Sequence, residues 1–249
     1  MKKLTFILTF TAFALFSFSN CSISSTARLI DGEYTRTVLL EDVTATWCTF
    51  CPAAAKDVEK LAKEYPKKLV VLAVHVNDEY ASKANEIRGR AFEVKSIPTI
   101  LFNGVESPGY EYTSLKKDFE DHLSIGSPLK MNISASFNDR KDSIQCKVTV
   151  IVSSKLKKTL EGNLRIALIE DSVSYDGRYT KKWNGILFDV VRYLSTPTAD
   201  DKLKLEQGKT LSFEKVISID TSWKSPFKLA AWIEDKSLIS YQAAFQEIK

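Results

Sequence analysis

The chain has 249 residues, of which 44% are hydrophobic and 27% charged, with a formal net charge of +4. Those values are ordinary for a globular protein and exclude both a disordered chain and a polytopic membrane protein. The small positive surplus, part of it Lys2 and Lys3 at the extreme N-terminus, gives no pull toward nucleic acid.

Lys2 and Lys3 precede Leu4 to Phe18, a stretch without charge. It is too short to span a bilayer and suits the apolar core of a secretory leader. No later stretch is long and apolar enough to cross a membrane, so the chain is expected to be exported. Cys21 follows in Phe18-Ser19-Asn20-Cys21-Ser22. That arrangement resembles a bacterial lipobox, whose cysteine becomes the lipidated first residue; residues 1–20 would then be a lipoprotein-type signal peptide. Phe18 and Asn20 depart from the usual Leu and Gly or Ala, and plain cleavage near Ser19 would instead leave Cys21 a free or paired thiol. An exported protein meets an oxidising compartment, where cysteine pairs persist as disulfides.

Residues 21–33 read as a tether, polar from Ser22 to Thr26. Val38-Leu39-Leu40 opens a buried strand. Cys48-Thr49-Phe50-Cys51-Pro52 follows, and then strong helix formers from Ala53 to Tyr65. Ala54, Val58, Leu61, Ala62 and Tyr65 fall at spacings of three and four, the stripe of an amphipathic helix. Pro52 fits its first turn and Pro66 stops it. Leu69 to Val76 is a continuous apolar run, as in a parallel strand buried on both faces. Ala81 to Ala91 reads as a helix, Ser96 to Phe102 as a strand with Pro98 at its mouth, Asn103-Gly104 as a hairpin turn, and Ser114 to Leu123 as a closing helix. The order predicts an α/β domain over 34–126. Helical periodicity ends at Gly126-Ser127-Pro128. Met131 to Phe137 and Ile144 to Val152 alternate apolar with polar, and Leu164–Ile169, Leu211–Ile219, Lys228–Ile233 and Tyr241–Ile248 are further strand-like runs. They predict an immunoglobulin-like β-sandwich of about seven strands over 127–249. Trp183 to Leu194 remains ambiguous.

A Cys-x-x-Cys pair that follows a strand and opens a helix has a specific chemistry. The first cysteine sits at the helix N-terminus, where free N–H groups and the positive dipole end stabilise a thiolate. One turn later the second cysteine can resolve a mixed disulfide. Cys48 is therefore the expected nucleophile and Cys51 the resolving thiol. Three other readings stand beside this one. Half of a zinc site would need two more ligands, and His75, His122, Cys146 and Cys21 are scattered. An inert structural disulfide and an idle site on a binding module both remain open.

Val43-Thr44-Ala45-Thr46-Trp47-Cys48-Thr49-Phe50-Cys51-Pro52 resembles a thioredoxin active-site segment. Ile97-Pro98-Thr99, followed by Phe102-Asn103-Gly104, resembles the strand that carries the cis-proline of that family. The resemblance implies a thioredoxin-like fold in which Pro98 faces the cysteine pair and Ile97 offers its backbone to a substrate chain. It implies that Asp42, six residues before Cys48, is a buried acid assisting proton transfer from Cys51, and that Trp47 flanks the nucleophile. Thr49-Phe50 is neither the Gly-Pro of thioredoxin nor the Pro-His of strong oxidants, and little chain precedes Val38 to form the usual first strand and helix. Val38–Pro52, Ile97–Gly104, Ile166–Ser172, Trp183–Arg192 and Leu229–Ala243 also resemble envelope lipoproteins of the outer-membrane-protein-28-related family. The reading is a lipid-anchored thiol–disulfide oxidoreductase of the cell envelope, facing the periplasm or the surface. Its partners would be exported proteins or a dedicated redox partner, with no cofactor, metal or nucleic acid. The alternative is a non-enzymatic surface lipoprotein, an adhesin or binding module on the same scaffold.

Several residues carry a bland reading beside the functional one. His75 ends the strand after Leu69, on the side where α/β sites gather. It could help a proton leave Cys51, but a hydrogen-bonded core histidine is the commoner case. His122, late in a helix, reads as favourable charge at a C-terminus. Cys146 lies on the inward register of its strand and reads as a buried free thiol. Asp42 and Glu41 compete for the role of buried acid, and the family match favours Asp42. Trp223 and Trp232 read as sandwich-core aromatics, and Lys155, Lys157 and Lys158 as a solvated loop. Glu170, Asp171, Asp176 and Asp189 are acidic but fit no calcium loop.

Overall fold

The computed structural model describes residues 29–195, 202–224 and 226–248. The leader segment, Cys21 and the first residues of the tether lie outside them. The apolar run Val38-Leu39-Leu40 opens β1 (Val38–Thr44), which is buried at every position although it includes Glu41 and Asp42. Beside it lies β2 (Leu69–His75), parallel and in register from Val38↔Leu69 to Thr44↔His75. On its other side lies β3 (Thr99–Phe102), antiparallel, then β4 (Val105–Glu106). The turn joining the last two has Asn103 at φ 50° and Gly104 at φ 83°, the left-handed pair of a tight hairpin. Helices α1 (Cys51–Glu64), α2 (Lys83–Ala91) and α3 (Tyr112–Ser124) complete this region. α1 and α3 share a core with β1–β3, formed by Val38, Leu40, Val58, Leu61, Val71, Phe102 and Phe119 among others.

After Gly126 the described residues form strands and one short 3-10 turn: β5 (Leu129–Phe137), β6 (Ser143–Val152), β7 (Leu160–Ser174), β8 (Ile186–Leu194), β9 (Lys202–Leu205), β10 (Thr210–Ser218), β11 (Phe227–Glu234) and β12 (Ser240–Ile248). An α/β domain followed by an all-β region is the expected fold class. Two strands escape the sequence reading: β9, too short for its alternation to stand out, and β8, whose Ile-Leu-Phe-Asp-Val-Val run is interrupted by a charge.

β5, β6 and β10 form a three-stranded sheet. Their inward residues pack on Leu164, Ile166, Leu168, Leu229, Ala231 and Ile233 to make the sandwich core. The facing sheet does not belong to the second region alone. Its order is β12-β11-β7-β8-β2-β1-β3-β4, with β9 beside β7, so one sheet runs through both regions. The junction is parallel, with Val190 of β8 opposite Ala73 of β2. Among the described residues no strand precedes β1, and β8 occupies the edge of β2 that would otherwise be open.

The sheet also curls. The Ser240 N–H at the start of β12 donates to the Asn103 carbonyl at 3.0 Å, and Gln242 bonds the Thr37 N–H and the Thr35 carbonyl. Leu39, Val70, Leu72, Val74, Ile169, Val191, Trp232 and Ala243 therefore share a core drawn from both regions. Two buried cations fasten the seam. The Arg36 guanidinium donates to the carbonyls of Ile30, Ile125, Gly126, Ser240 and Tyr241. Arg88 of α2 binds Glu41 of β1 and Glu234 of β11, both at 2.7 Å.

Candidate active site

α1 begins at Cys51 because Pro52 accepts a first-turn position without losing a hydrogen bond, and the Ala-rich run after it is a strong helix former. The residue capping that helix is Phe50, whose side chain makes no capping bond. Cys48 therefore stands just outside the helix, and its sulfur, rather than its place in the cap, meets the helix terminus. The Cys51 N–H donates to Cys48 Sγ at 3.1 Å. Cys48 and Cys51 are joined as a disulfide with Cα atoms 5.5 Å apart. No acidic residue sits in the first turn of α1 to offset the positive end of its dipole.

The peptide bond Ile97–Pro98 is cis. It brings the Ile97 carbonyl oxygen to 3.7 Å from Cys48 Sγ. The Trp47 ring is 45% exposed, with Nε1 donating to the Asn77 carbonyl at 3.0 Å. Phe50, 64% exposed, stands beside it in the segment between the cysteines. Cys48, Cys51, Trp47, Ile97 and Pro98 are thus brought to one place, with Asp42 and His75 on the strands behind them.

Asp42 and Glu41 are both buried, and the sheet separates them. Glu41 points to the α2 face and meets the Arg88 guanidinium. Asp42 points to the α1 face with no cation, and its Oδ1 has no hydrogen-bond partner. Burial raises its carboxyl to about 7. The Thr44 hydroxyl on the same face also lacks a partner. His75 is buried with Nδ1 2.7 Å from Asp78 Oδ2. Burial works against the Asp78 charge, but the His75 bond and the N–H groups of Thr46 and Tyr80 hold that carboxyl below its usual range.

The sequence does not reveal Trp183. It belongs to a 3-10 turn, Lys181–Trp183, between β7 and β8. Its indole donates to the Thr46 carbonyl at 3.2 Å, and it packs with Val173, Tyr175, Leu187 and Val190 in the cluster that holds Cys48 and Cys51. The second region therefore walls one side of the cysteine pair. Contacts between residues 46 and 183 have no local sequence signal.

The acidic residues singled out in the sequence outside the site, Glu170, Asp171, Asp176 and Asp189, each meet a cation. Glu170 pairs with Arg192 at 2.7 Å, and Asp171 and Asp189 both hold the Lys228 ammonium. Cys146 is buried in the sandwich core, where burial raises its thiol. Trp232 lies in the core shared by both regions rather than in the sandwich, with Nε1 donating to Glu234. His122 corrects the sequence reading: it is fully buried beside Phe102 and Asn103, and burial lowers its pKa to about 4, so it carries no charge at the helix end.

Comparison with known proteins agrees with this geometry. Residues 30–124 match the family model described as Thioredoxin. The chain is 35% identical over 74 residues to a chloroplastic thioredoxin-like protein CITRX of Oryza sativa subsp. indica, which is 30% of this chain and 35% of that protein. It is 35% identical over 65 residues to Thioredoxin 2 of Plasmodium falciparum, 26% of this chain and 38% of that one. The chain thus spans about a third of the length of the curated relatives it matches. Among solved structures, HBP35 of Porphyromonas gingivalis superposes with a TM-score of 0.70 at 17% identity, over 87% of this chain and 76% of that one. A protein of Agrobacterium tumefaciens superposes with a TM-score of 0.59 at 13% identity, over 86% and 95%. Both likenesses extend through the strand-rich region and concern the fold. A thioredoxin domain carrying a Cys-x-x-Cys pair supports thiol–disulfide exchange.

Proposed function

We propose that this chain is a thiol–disulfide oxidoreductase of the bacterial cell envelope. It acts on disulfides of exported proteins through Cys48 and Cys51 and is held at a membrane by lipid on Cys21. The observation that carries the chemistry is the disulfide at the N-terminus of α1, 3.7 Å from the carbonyl that precedes a cis-proline and in front of a buried acid without a counter-charge. Envelope location rests on the uncharged segment after Lys2-Lys3 and on the setting of Cys21.

In the reduced protein the Cys48 thiolate is favoured by the Cys51 N–H and the dipole of α1. It attacks a substrate sulfur, and the electron pair of the broken disulfide leaves on the other. A chain tethered to Cys48 runs beside Ile97, with Trp47 and Phe50 offering exposed apolar area on the rim. Asp42 accepts the Cys51 proton. The Cys51 thiolate then attacks Cys48 Sγ, closing the disulfide and releasing the substrate thiol. The reverse sequence oxidises a substrate dithiol.

Glutathione titration of the Cys48–Cys51 couple tests this reading. A reversible couple between about −120 and −280 mV is expected, and Cys51→Ser should trap a mixed disulfide on Cys48. A potential far below about −300 mV, with Cys48 inert to alkylation, would mark a structural bridge. The protein would then be read as a binding module.

A further inference from the structure

The second region does more than wall the cysteine pair. Behind the site lies a cavity of about 10 Å³, room for a single water. Asp42, Thr44, His75 and Asp189 bring polar groups to its lining, and Ala55 and Trp183 close it against the cysteine cluster. Asp42 Oδ1 and Thr44 Oγ1 are both buried without partners. Two such groups lining one small hole are the setting in which a buried water bridges.

Asp189 comes from β8. Its neighbours Phe188 and Val190 pair with Ser172 and Glu170 of β7, while Asp189 itself has φ 53°, a left-handed backbone inside a strand. For a residue other than glycine this is held only by its surroundings. Its carboxylate takes a 2.8 Å bond from Lys228 Nζ. Asp189 also lines an open cleft of about 420 Å³ on the outer surface, together with Glu59, Lys63, Asp171, Lys228 and Glu247. It therefore has one side toward the Asp42 cavity and one toward solvent.

We propose that Asp189 is a positioning acid through which the proton given up by Cys51 leaves the protein, passing from Asp42 across a one-water cavity to the cleft beside Lys228. This rests on the exchange reading above. When Cys51 gives its proton to Asp42, its thiolate forms the Cys48–Cys51 bond and the Cys48–substrate bond breaks, with the electron pair leaving on the substrate sulfur. Asp42 is then neutral and must be deprotonated before the next turnover. The bridging water takes that proton and gives one to the Asp189 carboxylate, which releases it to the cleft.

The charged surroundings suit the transfer. Asp42 and Asp189 are faced by Glu59 from α1, His75 from β2, Asp171 from β7 and Lys228 from β11. Burial raises Asp189 to about 6, opposed by Lys228, beside an Asp42 raised to about 7. Burial thus moves both carboxyls upward from the ordinary carboxylate range toward neutral pH, where a group that accepts and releases a proton has to lie. Glu59 also lines both spaces, but it is engaged by Lys63 at 2.5 Å and is partly exposed.

The test uses the full chain. Ellman's reagent forms a mixed disulfide at Cys48, and release of the second thionitrobenzoate reports the attack by Cys51. Multiple-turnover rates are followed from pH 5 to 9 with an external dithiol as reductant. Asp189→Asn is expected to slow turnover at pH 7 at least fivefold and to displace the pH profile. The alkylation rate of Cys48 should stay within twofold of wild type, Asp189→Glu should restore at least half the rate, and Glu59→Gln should slow turnover less than Asp189→Asn does. An Asp189→Asn protein with the wild-type rate and profile overturns the inference. So does a variant that loses alkylation and turnover alike with a lowered melting point, or a Glu59→Gln protein that is the slow one. If the wild-type protein releases no second thiol at any pH, the exchange reading itself fails. If it does and Asp189→Asn matches it, only the role of Asp189 fails.

Discussion

At the scale of single residues, the two neighbouring acids of β1 show how one register decides chemistry. Glu41 and Asp42 are adjacent and both buried, yet only Glu41 meets a cation. Asp42 is therefore the group whose charge the fold opposes. Its carboxyl is raised from 3.8 to about 7, so the folded protein holds a proton that the unfolded chain has released. The stability this confers is complete below about pH 4 and is lost as pH rises toward 7. Asp42→Asn removes that dependence. We expect the variant to match the wild type near pH 4 and to exceed it at pH 8 by roughly 4 kcal/mol, from the shift at ~1.36 kcal/mol per pH unit. Urea unfolding at the two pH values measures the difference, and equal gains at both would show that the Asp42 charge is not opposed by the fold.

Among the elements, α2 is the one whose role changes most between sequence and structure. Its amphipathic pattern is weak, and it carries buried Asn85, Arg88 and Gly89. What holds it is Arg88, which reaches through the shared core to Glu41 and Glu234 and stacks over the Phe92 ring. Removing one partner of such a network leaves buried charge without compensation, which costs about 3–5 kcal/mol. Arg88→Met should therefore lower the unfolding free energy at pH 7 by that order. A loss below about 1 kcal/mol, the worth of an exposed pair, would mean that α2 is held by its apolar contacts instead.

Taken as a whole, the molecule runs one nine-stranded sheet through both regions, where the sequence suggests two separate domains. Among the described residues the α/β region has no strand of its own beyond β2, and β8 takes that place. Leu39, Val70, Leu72 and Val74 are covered in part by Trp232, Ala230 and Ala243 from the other end of the chain. Two consequences follow for unfolding. The whole chain should lose secondary structure and tryptophan fluorescence in one coincident transition. A protein lacking residues 127–249 should show no cooperative transition and should aggregate, because its apolar face and the edge of β2 are left open. A truncated protein with a sharp urea transition would show that the first region is independent.

Local pattern made much of this protein legible in its sequence. The short apolar start of β1, the continuous apolar run of β2, the stripe of α1, the Asn-Gly turn and the alternation after Pro128 each depend on neighbours a few residues away, and each corresponds to an element found. The Cys-x-x-Cys spacing on a strand-to-helix turn was equally local. What only the tertiary structure decided depends on residues far apart in the chain. The meeting of Arg88 with Glu41 and Glu234 distinguishes the two acids of β1, the reach of Trp183 to Thr46 walls the cysteine pair, and the parallel pairing of β8 with β2 merges the regions. His122 shows the same limit: its place late in a helix suggests charge, and burial against Phe102 removes it. Periodicity tells which face of an element is apolar, but burial, partner charge and dielectric are set by what covers that face.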